Sequence, residues 1–195
     1  MEQGFGPDAL IKCYRHGIFP MSDDRTDERL FLVDPEMRGI LPLDALHISK
    51  SMRKFRRQTD LRVTLNTDFP AVIKACAEAR ENTWISHGIE GLYTILHHRG
   101  EAHSVEVWQG KQLVGGLYGV SQGGAFFGES MFSRATNASK FALIHLVEHL
   151  NKRGFVLLDT QFITDHLASL GAIEIPRDTY QEKLKKALAV EARFD

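Results

Sequence analysis

The sequence predicts a mixed α/β (α+β) chain in two parts, a small N-terminal domain over residues 1–44 and a larger domain over residues 45–195. Three observations carry this. Apolar residues make up 43% and charged residues 25% of 195, the proportions of an ordinary globular chain long enough to bury a substantial core. After residue 100, strand-like patterns lead into a long helical pattern and then a further strand, short helix, strand and terminal helix. Near Asp44 a turn-rich stretch with two prolines, "DPEMRGILPLD", meets a strongly basic segment, and the boundary is placed at that shift.

In chain order, "PDALIKCYRH" has Leu10, Ile11 and Tyr14 on one face and Gly17 as a stop, so it predicts a short helix that starts at Pro and Asp. "GIFPMSDDRTDER" is polar and mostly acidic and predicts a loop; "RLFLV" predicts a short strand. "ALHISKSMRKFRRQ" places Ile48, Met52 and Phe55 at i, i+4, i+7, one helical face. "LRVTLNT" alternates as a strand does, while "FPAVIKACAEAR" and "GIEGLYTILHHRG" have helical spacing, the second closed by Gly100. Three strands follow, Ser104–Trp108, Leu113–Val120 and Ala125–Ser130, joined by glycine-containing turns. "NASKFALIHLVEHLNKRG" predicts the best helix of the chain, with Asn137 as its cap and Gly154 as its stop. Then come a buried strand, "FVLLDTQ", a turn or two of helix, "DHLASLG", a strand, "AIEIP", and a terminal helix with Asp178 as its expected cap. This order resembles the acyltransferase fold of the GNAT superfamily, which binds an acyl donor at a split between central strands.

The bulk numbers exclude several classes. The net charge is −1, so any nucleic-acid surface must be a local patch. No apolar run reaches the ~18–20 residues that span a bilayer, and the start of the chain lacks a basic region followed by an apolar one, so neither membrane nor secretory leader is expected. Cys13 and Cys76 have no metal-ligand or disulfide-framework spacing and suit a reducing, cytoplasmic compartment. The nine histidines are scattered; His145 and His149 lie at i, i+4 beside Glu148, but a partly exposed helix face accounts for them, and no metal is expected. A monomer is the default expectation.

Three constellations carry candidate chemistry. Lys50, Arg53, Lys54, Arg56 and Arg57 put five cations into eight residues with no acid among them. A charge run is commonly only a solvated face, but this one lies opposite an apolar face in a near-neutral chain. It suits phosphate contact along a duplex such as a tRNA stem better than base stacking, because Phe55 is turned inward. Glu129 stands among Phe126, Phe127, Met131 and Phe132. Such a carboxylate either turns to solvent, pairs with an internal arginine, or sits at the mouth of an apolar pocket to hold the ammonium of an amino acid. Asp159 and Gln161 end the buried strand two residues apart and so share a face; the plain alternative is a strand end bonded to nearby backbone. No Gly-x-Ser-x-Gly elbow is present, and "SRATNAS" before the long helix has no glycine to cradle a pyrophosphate. A coenzyme-A acyltransferase and a non-catalytic tRNA-binding module remain the rivals to an aminoacyl-transfer enzyme.

Taken together, "GIFPMSD", "LHISKSMRKF", "TWISHGIEGLY", "AHSVEVW", "LVGGLYGV", "GESMFSRATNASK" and "LLDTQFITDHLASLGAIEIPR" resemble the bacterial leucyl/phenylalanyl-tRNA–protein transferases, in the family's order and over nearly the whole chain. The match is that of a short member without the family's common N-terminal extension. The resemblance implies a small N-terminal domain plus a GNAT-like domain. It also implies transfer of leucine or phenylalanine from Leu-tRNA or Phe-tRNA to proteins beginning with lysine or arginine, creating an N-degron, with no coenzyme A and no metal. It implies that Asp159 and Gln161 are the catalytic pair. Gln161 would lie against the ester carbonyl and the incoming amine, with Asp159 orienting it and favouring proton removal. A neutral amide is a very poor base, so the expected contribution is orientation and oxyanion stabilisation. Glu129 would hold the aminoacyl α-ammonium. Trp84, Phe126, Met131, Leu143, Leu146, Leu150 and Leu158 match pocket positions, Leu117 is a further one, and Ser133 and Thr164 complete the substrate-binding set. The basic helix matches the tRNA-binding surface. Departures are "LFLVDP" where a Trp-rich run is common, leucines at 146 and 150 where the family has aromatics, and Thr164 where asparagine is common. One methylene in such a pocket discriminates by about 1–3 kcal/mol, so these positions bear on the choice among leucine, phenylalanine and methionine. Acidic N-termini are the alternative acceptors.

Overall fold

The computed structural model describes residues 5–195. The chain begins with helix α1, Pro7–Arg15, where Pro7 occupies the first turn and needs no intrahelical N–H partner. Strands β1, Phe19–Met21, and β2, Phe31–Val33, pair antiparallel as a two-stranded sheet. Strand β3 is Met37–Ile40, followed by the basic helix α2, Lys50–Gln58, capped by Ser49 Oγ accepting from Met52 N at 3.1 Å. Strand β4, Arg62–Leu65, leads to α3, Phe69–Glu78, capped by Asp68, and α4, His87–His98, capped by Ser86. Then come β5, Ala102–Gln109, β6, Gln112–Gln122, β7, Ala125–Ser133, and α5, Ala138–Lys152. The chain ends with β8, Leu157–Gln161, α6, Asp165–Ala168, β9, Ile173–Pro176, and α7, Arg177–Leu188.

Seven strands form one sheet in the order β4-β5-β6-β7-β8-β3-β9. All neighbours are antiparallel except β7 and β8, which run parallel around the α5 crossover. Side chains alternate across β7: Phe127 joins a core with α1, α3, α4 and α7, and Phe126 joins a second core with α2 and α5. The parallel pair is short. Ala125, Phe126 and Phe127 pair with Leu157, Leu158 and Asp159; β7 then runs on to Ser133 while β8 ends at Gln161. The two strands therefore part in the middle of the sheet. This is the mixed α/β, GNAT-like arrangement expected, with its fork between central strands.

Four local expectations are corrected. The segment read as a loop contains β1, and the turn-rich stretch before residue 44 contains β3, which lies between β8 and β9 in the main sheet. Both strands are too short for an alternating pattern to register, and their partners are remote in sequence. Asn137 sits at the start of α5 with φ 65° and makes no side-chain cap; the first turn is closed instead by Ser133 Oγ, which accepts from Ser139 N at 3.2 Å. Pro176, not Asp178, occupies the cap position of α7, and Asp178 lies inside its first turn.

Candidate active site

The fork between β7 and β8 opens into a pocket of about 540 Å³. Two irregularities of the sheet shape it. Gly119 pairs with Gly128 and Tyr118 with Ser130, which leaves Glu129 as the extra residue of a bulge on β7. A bulge re-aims a side chain, and here it turns Glu129 toward α1 and α4. On β8, Gly39 pairs with Gln161 and Ile40 with Asp159, so Thr160 is the extra residue there. Gln161 then ends the strand at φ 62°, a left-handed conformation that a non-glycine residue holds only when its surroundings impose it. Gly39 permits the close approach of β3 at this point, since a Cβ on it would lie 2.7 Å from the Phe162 carbonyl carbon.

Glu129 is buried, 8% exposed, and both oxygens are engaged. Oε1 accepts from Tyr14 Oη at 2.6 Å and from Gln161 Nε2 at 2.9 Å, and Oε2 accepts from Tyr93 Oη at 3.0 Å. The two tyrosine hydroxyls also touch each other. Burial pushes the Glu129 carboxyl up to about 7, against the three hydrogen bonds, which favour its charged form, and with the charge of Asp159 adding to the rise. Burial and the neighbouring Glu129 hold both phenols well above their ordinary range, so they stay protonated and donate. A carboxylate offers about four acceptor positions. Three are used, and one is left open.

Asp159 is fully enclosed and faces a different set of partners. Arg38 Nε donates to its Oδ1 at 3.0 Å and its Oδ2 at 3.2 Å, and Arg38 Nη2 donates to Oδ2 at 2.7 Å. Tyr180 Oη donates to Oδ2 at 2.5 Å, and the Gln161 backbone N–H donates to Oδ1 at 2.7 Å. Arg38 itself is 1% exposed, lies over the rings of Phe19 and Tyr180 at 4.6 Å each, and gives its Nη1 to the Gly17 carbonyl at 2.7 Å. Burial works against the Arg38 charge, and Asp159 more than offsets it, leaving Arg38 above its usual range. The Asp159 carboxylate therefore reaches Gln161 through the backbone, not the side chain. Its chemistry is to hold Gln161 in the left-handed conformation that aims the amide at Glu129.

Of the sequence candidates, Trp84, Leu117, Glu129, Met131 and Ser133 line the pocket, as do Leu143, Leu146, Leu158, Gln161 and Thr164. Phe126 and Leu150 do not; both are fully buried in the same core cluster as Leu143, Leu146 and Leu158. Asp159 is likewise off the wall. On α2, Lys50, Arg53, Lys54 and Arg57 are exposed and make no ion pair among the described residues. Arg56 differs, because it pairs with Glu148 of α5 at 2.8 Å and so serves to dock the helix. Sequence reasoning missed Arg38, Tyr180, Tyr14 and Tyr93. Tyr14 carried the signal of a helical apolar face, and Arg38 stands as the lone cation in "EMRGIL"; neither announces a partner about 115 to 120 residues away.

The chain matches the family model described as "Leucyl/phenylalanyl-tRNA protein transferase" over residues 40–185 and the model for that family's N-terminal domain over residues 5–36. A Hyphomonas neptunium protein named leucyl/phenylalanyl-tRNA–protein transferase is 58% identical over 197 residues, which span 100% of this chain and 76% of that protein. A Maricaulis maris protein of the same name is 54% identical over 195 residues, 98% of this chain and 90% of that one. Among solved structures, FemX superposes with a TM-score of 0.54 at 12% identity, covering 87% of this chain and 66% of that chain, a likeness of fold alone.

Proposed function

The chain belongs to the leucyl/phenylalanyl-tRNA–protein transferase family, and we propose that it moves leucine or phenylalanine, with methionine as a further donor, from aminoacyl-tRNA to the N-terminal α-amine of proteins that begin with lysine or arginine. It is an aminoacyltransferase, which displaces the reading as a non-catalytic tRNA-binding module. The product in this reading is an N-degron. The observation that carries it is the hydrogen bond between Gln161 and Glu129 in the fork of the sheet, beside a wall made of Leu117, Met131, Leu143, Leu146 and Leu158. The leucine wall takes an apolar side chain, and the remaining acceptor position of Glu129 takes the α-ammonium. Because Gln161 Nε2 is given to Glu129, its Oε1 is left to accept an N–H from the incoming amine. The amine nitrogen bonds to the ester carbonyl carbon, the ester C–O bond breaks, and the proton the amine loses is matched, through solvent, by one taken up by the departing ribose oxygen, which leaves as the tRNA terminal hydroxyl. A peptide α-amine has a pKa of about 7.7–8.0, so a useful fraction is neutral near pH 7.5 and no strong base is required. Asp159, sealed by Arg38 and Tyr180, acts as a positioning residue. The glycine-free "SRATNAS" loop supports a donor other than coenzyme A.

The test is transfer from labelled Leu-tRNA or Phe-tRNA to peptides beginning with lysine, arginine, aspartate or glutamate, without coenzyme A. Label on the lysine and arginine peptides is expected. Label on the acidic peptides alone would retain the reaction and overturn the acceptor assignment.

The exposed face of α2 supports tRNA phosphate contact. Changing Lys54→Ala together with Arg57→Ala should weaken tRNA binding at low salt. It should also flatten the log K versus log salt slope by roughly 1.5–2, the loss of two phosphate contacts. An unchanged slope moves the tRNA site elsewhere. We further propose a cytoplasmic monomer organised as residues 1–44 and 45–195. Two separate family-model matches support a two-part chain, with their break between residues 36 and 40, and β3 of the first segment is built into the main sheet. No helix among the described residues is long and apolar enough to cross a membrane.

A further inference from the structure

Tyr118, Thr160 and His166 line the pocket, and each carries a buried side-chain atom, Oη, Oγ1 and Nε2 in turn, with no hydrogen-bond partner among the described residues. Tyr118 is fully buried, so its hydroxyl has no recourse to bulk water. Buried polar atoms are nearly always paired, and three unpaired ones around one cavity mark where a bound molecule supplies the partners. The residues that carry them are neighbours in the fold of those that hold Glu129 and Gln161. Tyr118 pairs across the sheet with Ser130, beside the bulge that turns Glu129; Thr160 lies between Asp159 and Gln161; His166 is in the first turn of α6.

The chemistry narrows the ligand. A leucine or phenylalanine side chain has no hydrogen-bonding atom, and the α-ammonium is a donor matched to Glu129. The tyrosine hydroxyl needs an acceptor, and the threonine hydroxyl and the imidazole take either role. Burial and the nearby charge of Lys140 lower the His166 pKa, so its ring is neutral near pH 7. Acceptors and hydroxyls together occur at the ester carbonyl and terminal ribose of the donor, the part that is the same whichever amino acid is carried. Resting on the transferase reading, we propose that Tyr118, Thr160 and His166 are the hydrogen-bonding half of the donor site and bind the ester–ribose end of aminoacyl-tRNA, while the leucine wall reads the side chain.

The experiment uses Tyr118→Phe and Thr160→Val, which delete a hydroxyl and keep the shape. KM is measured separately for Leu-tRNA, for leucyl-adenosine as a minimal donor, and for the acceptor peptide; thermal unfolding is measured without substrate. Each variant should raise KM for both donors about 5- to 10-fold, leave the peptide KM within about twofold, and unfold no lower than the wild type. Unchanged donor KM values overturn the proposal, as does a rise confined to the peptide, which would assign the hydroxyls to the acceptor. A rise seen with Leu-tRNA but not with leucyl-adenosine also overturns it. So does a lower unfolding temperature, which reveals an internal partner. Wild-type protein that uses neither Leu-tRNA nor Phe-tRNA refutes the transferase reading instead, and the control separates the two.

Discussion

Arg38→Met will cost about 100-fold in kcat for aminoacyl transfer while leaving KM for Leu-tRNA within a few-fold of the wild type. Arg38 touches neither the leucine wall nor the exposed face of α2, so donor binding is spared. Its three hydrogen bonds to Asp159 are lost. Asp159 then keeps only Tyr180 and the Gln161 N–H, and the Gln161 backbone at φ 62° loses the anchor that imposes it. A misplacement of ~1 Å at a reacting group is enough for a loss of that size. Stability falls too, because removing one partner of a buried pair leaves the other charge uncompensated at about 3–5 kcal/mol. For a chain of this length that is a Tm lower by about 6–20 °C. Two variants separate the roles. Arg38→Lys keeps the charge but not the fork and should recover more stability than kcat. Adding Asp159→Asn to Arg38→Met should cost much less stability than it does in the wild type, the non-additivity expected of one network. A normal kcat in folded Arg38→Met protein would remove Asp159 from the account of Gln161.

These residues also show how far the sequence reaches. Helices announced by period and caps, such as α3 and α4, and strands announced by alternation, such as β5 and β6, follow from local chemistry and are where the sequence puts them. Glu129, Asp159 and Gln161 are legible as polar residues in apolar company. Their geometry is not. An ideal strand puts Asp159 and Gln161 on one face acting together, whereas the bulge at Thr160 and the turn at Gln161 separate their partners: Arg38 and Tyr180 for one, Glu129 for the other. A bulge is set by the match between two strands, so one strand's sequence cannot show it. Arg38 is hidden for a related reason. The four residues of β3 are held by pairing with β8 and β9, more than 100 residues away, and a contact at that separation leaves no local pattern.

The second large effect is at Glu129, and it is expected to run in opposite directions for activity and stability. The carboxyl titrates near 7 in the folded protein, against an ordinary value of 4.5, because burial disfavours its charge. Between those values the folded state holds a proton that the unfolded chain releases. Stability from this group is therefore fully present below 4.5 and is lost as pH rises through about 7. In Glu129→Gln that loss is absent, so the wild type should fall behind the variant between pH 5 and 8 by up to about 3 kcal/mol. Transfer should do the reverse. Only the charged carboxylate attracts the donor ammonium, and only the neutral acceptor amine attacks. With both substrates well below saturation, the acid limb of the wild-type rate should approach a log slope of about two, from Glu129 and the amine, and Glu129→Gln should retain a slope of about one. The variant's kcat/KM for Leu-tRNA at pH 8 should be about 30- to 1000-fold lower, the effect of truncating one member of a buried charge pair. A variant that keeps the steeper limb, or transfers within threefold of the wild type, would assign the ammonium to another group. If both directions hold, the site has kept a carboxylate that weakens the fold at the pH where it works. The bulge on β7 and the hydrogen bonds from Tyr14, Tyr93 and Gln161 are what make that carboxylate tolerable.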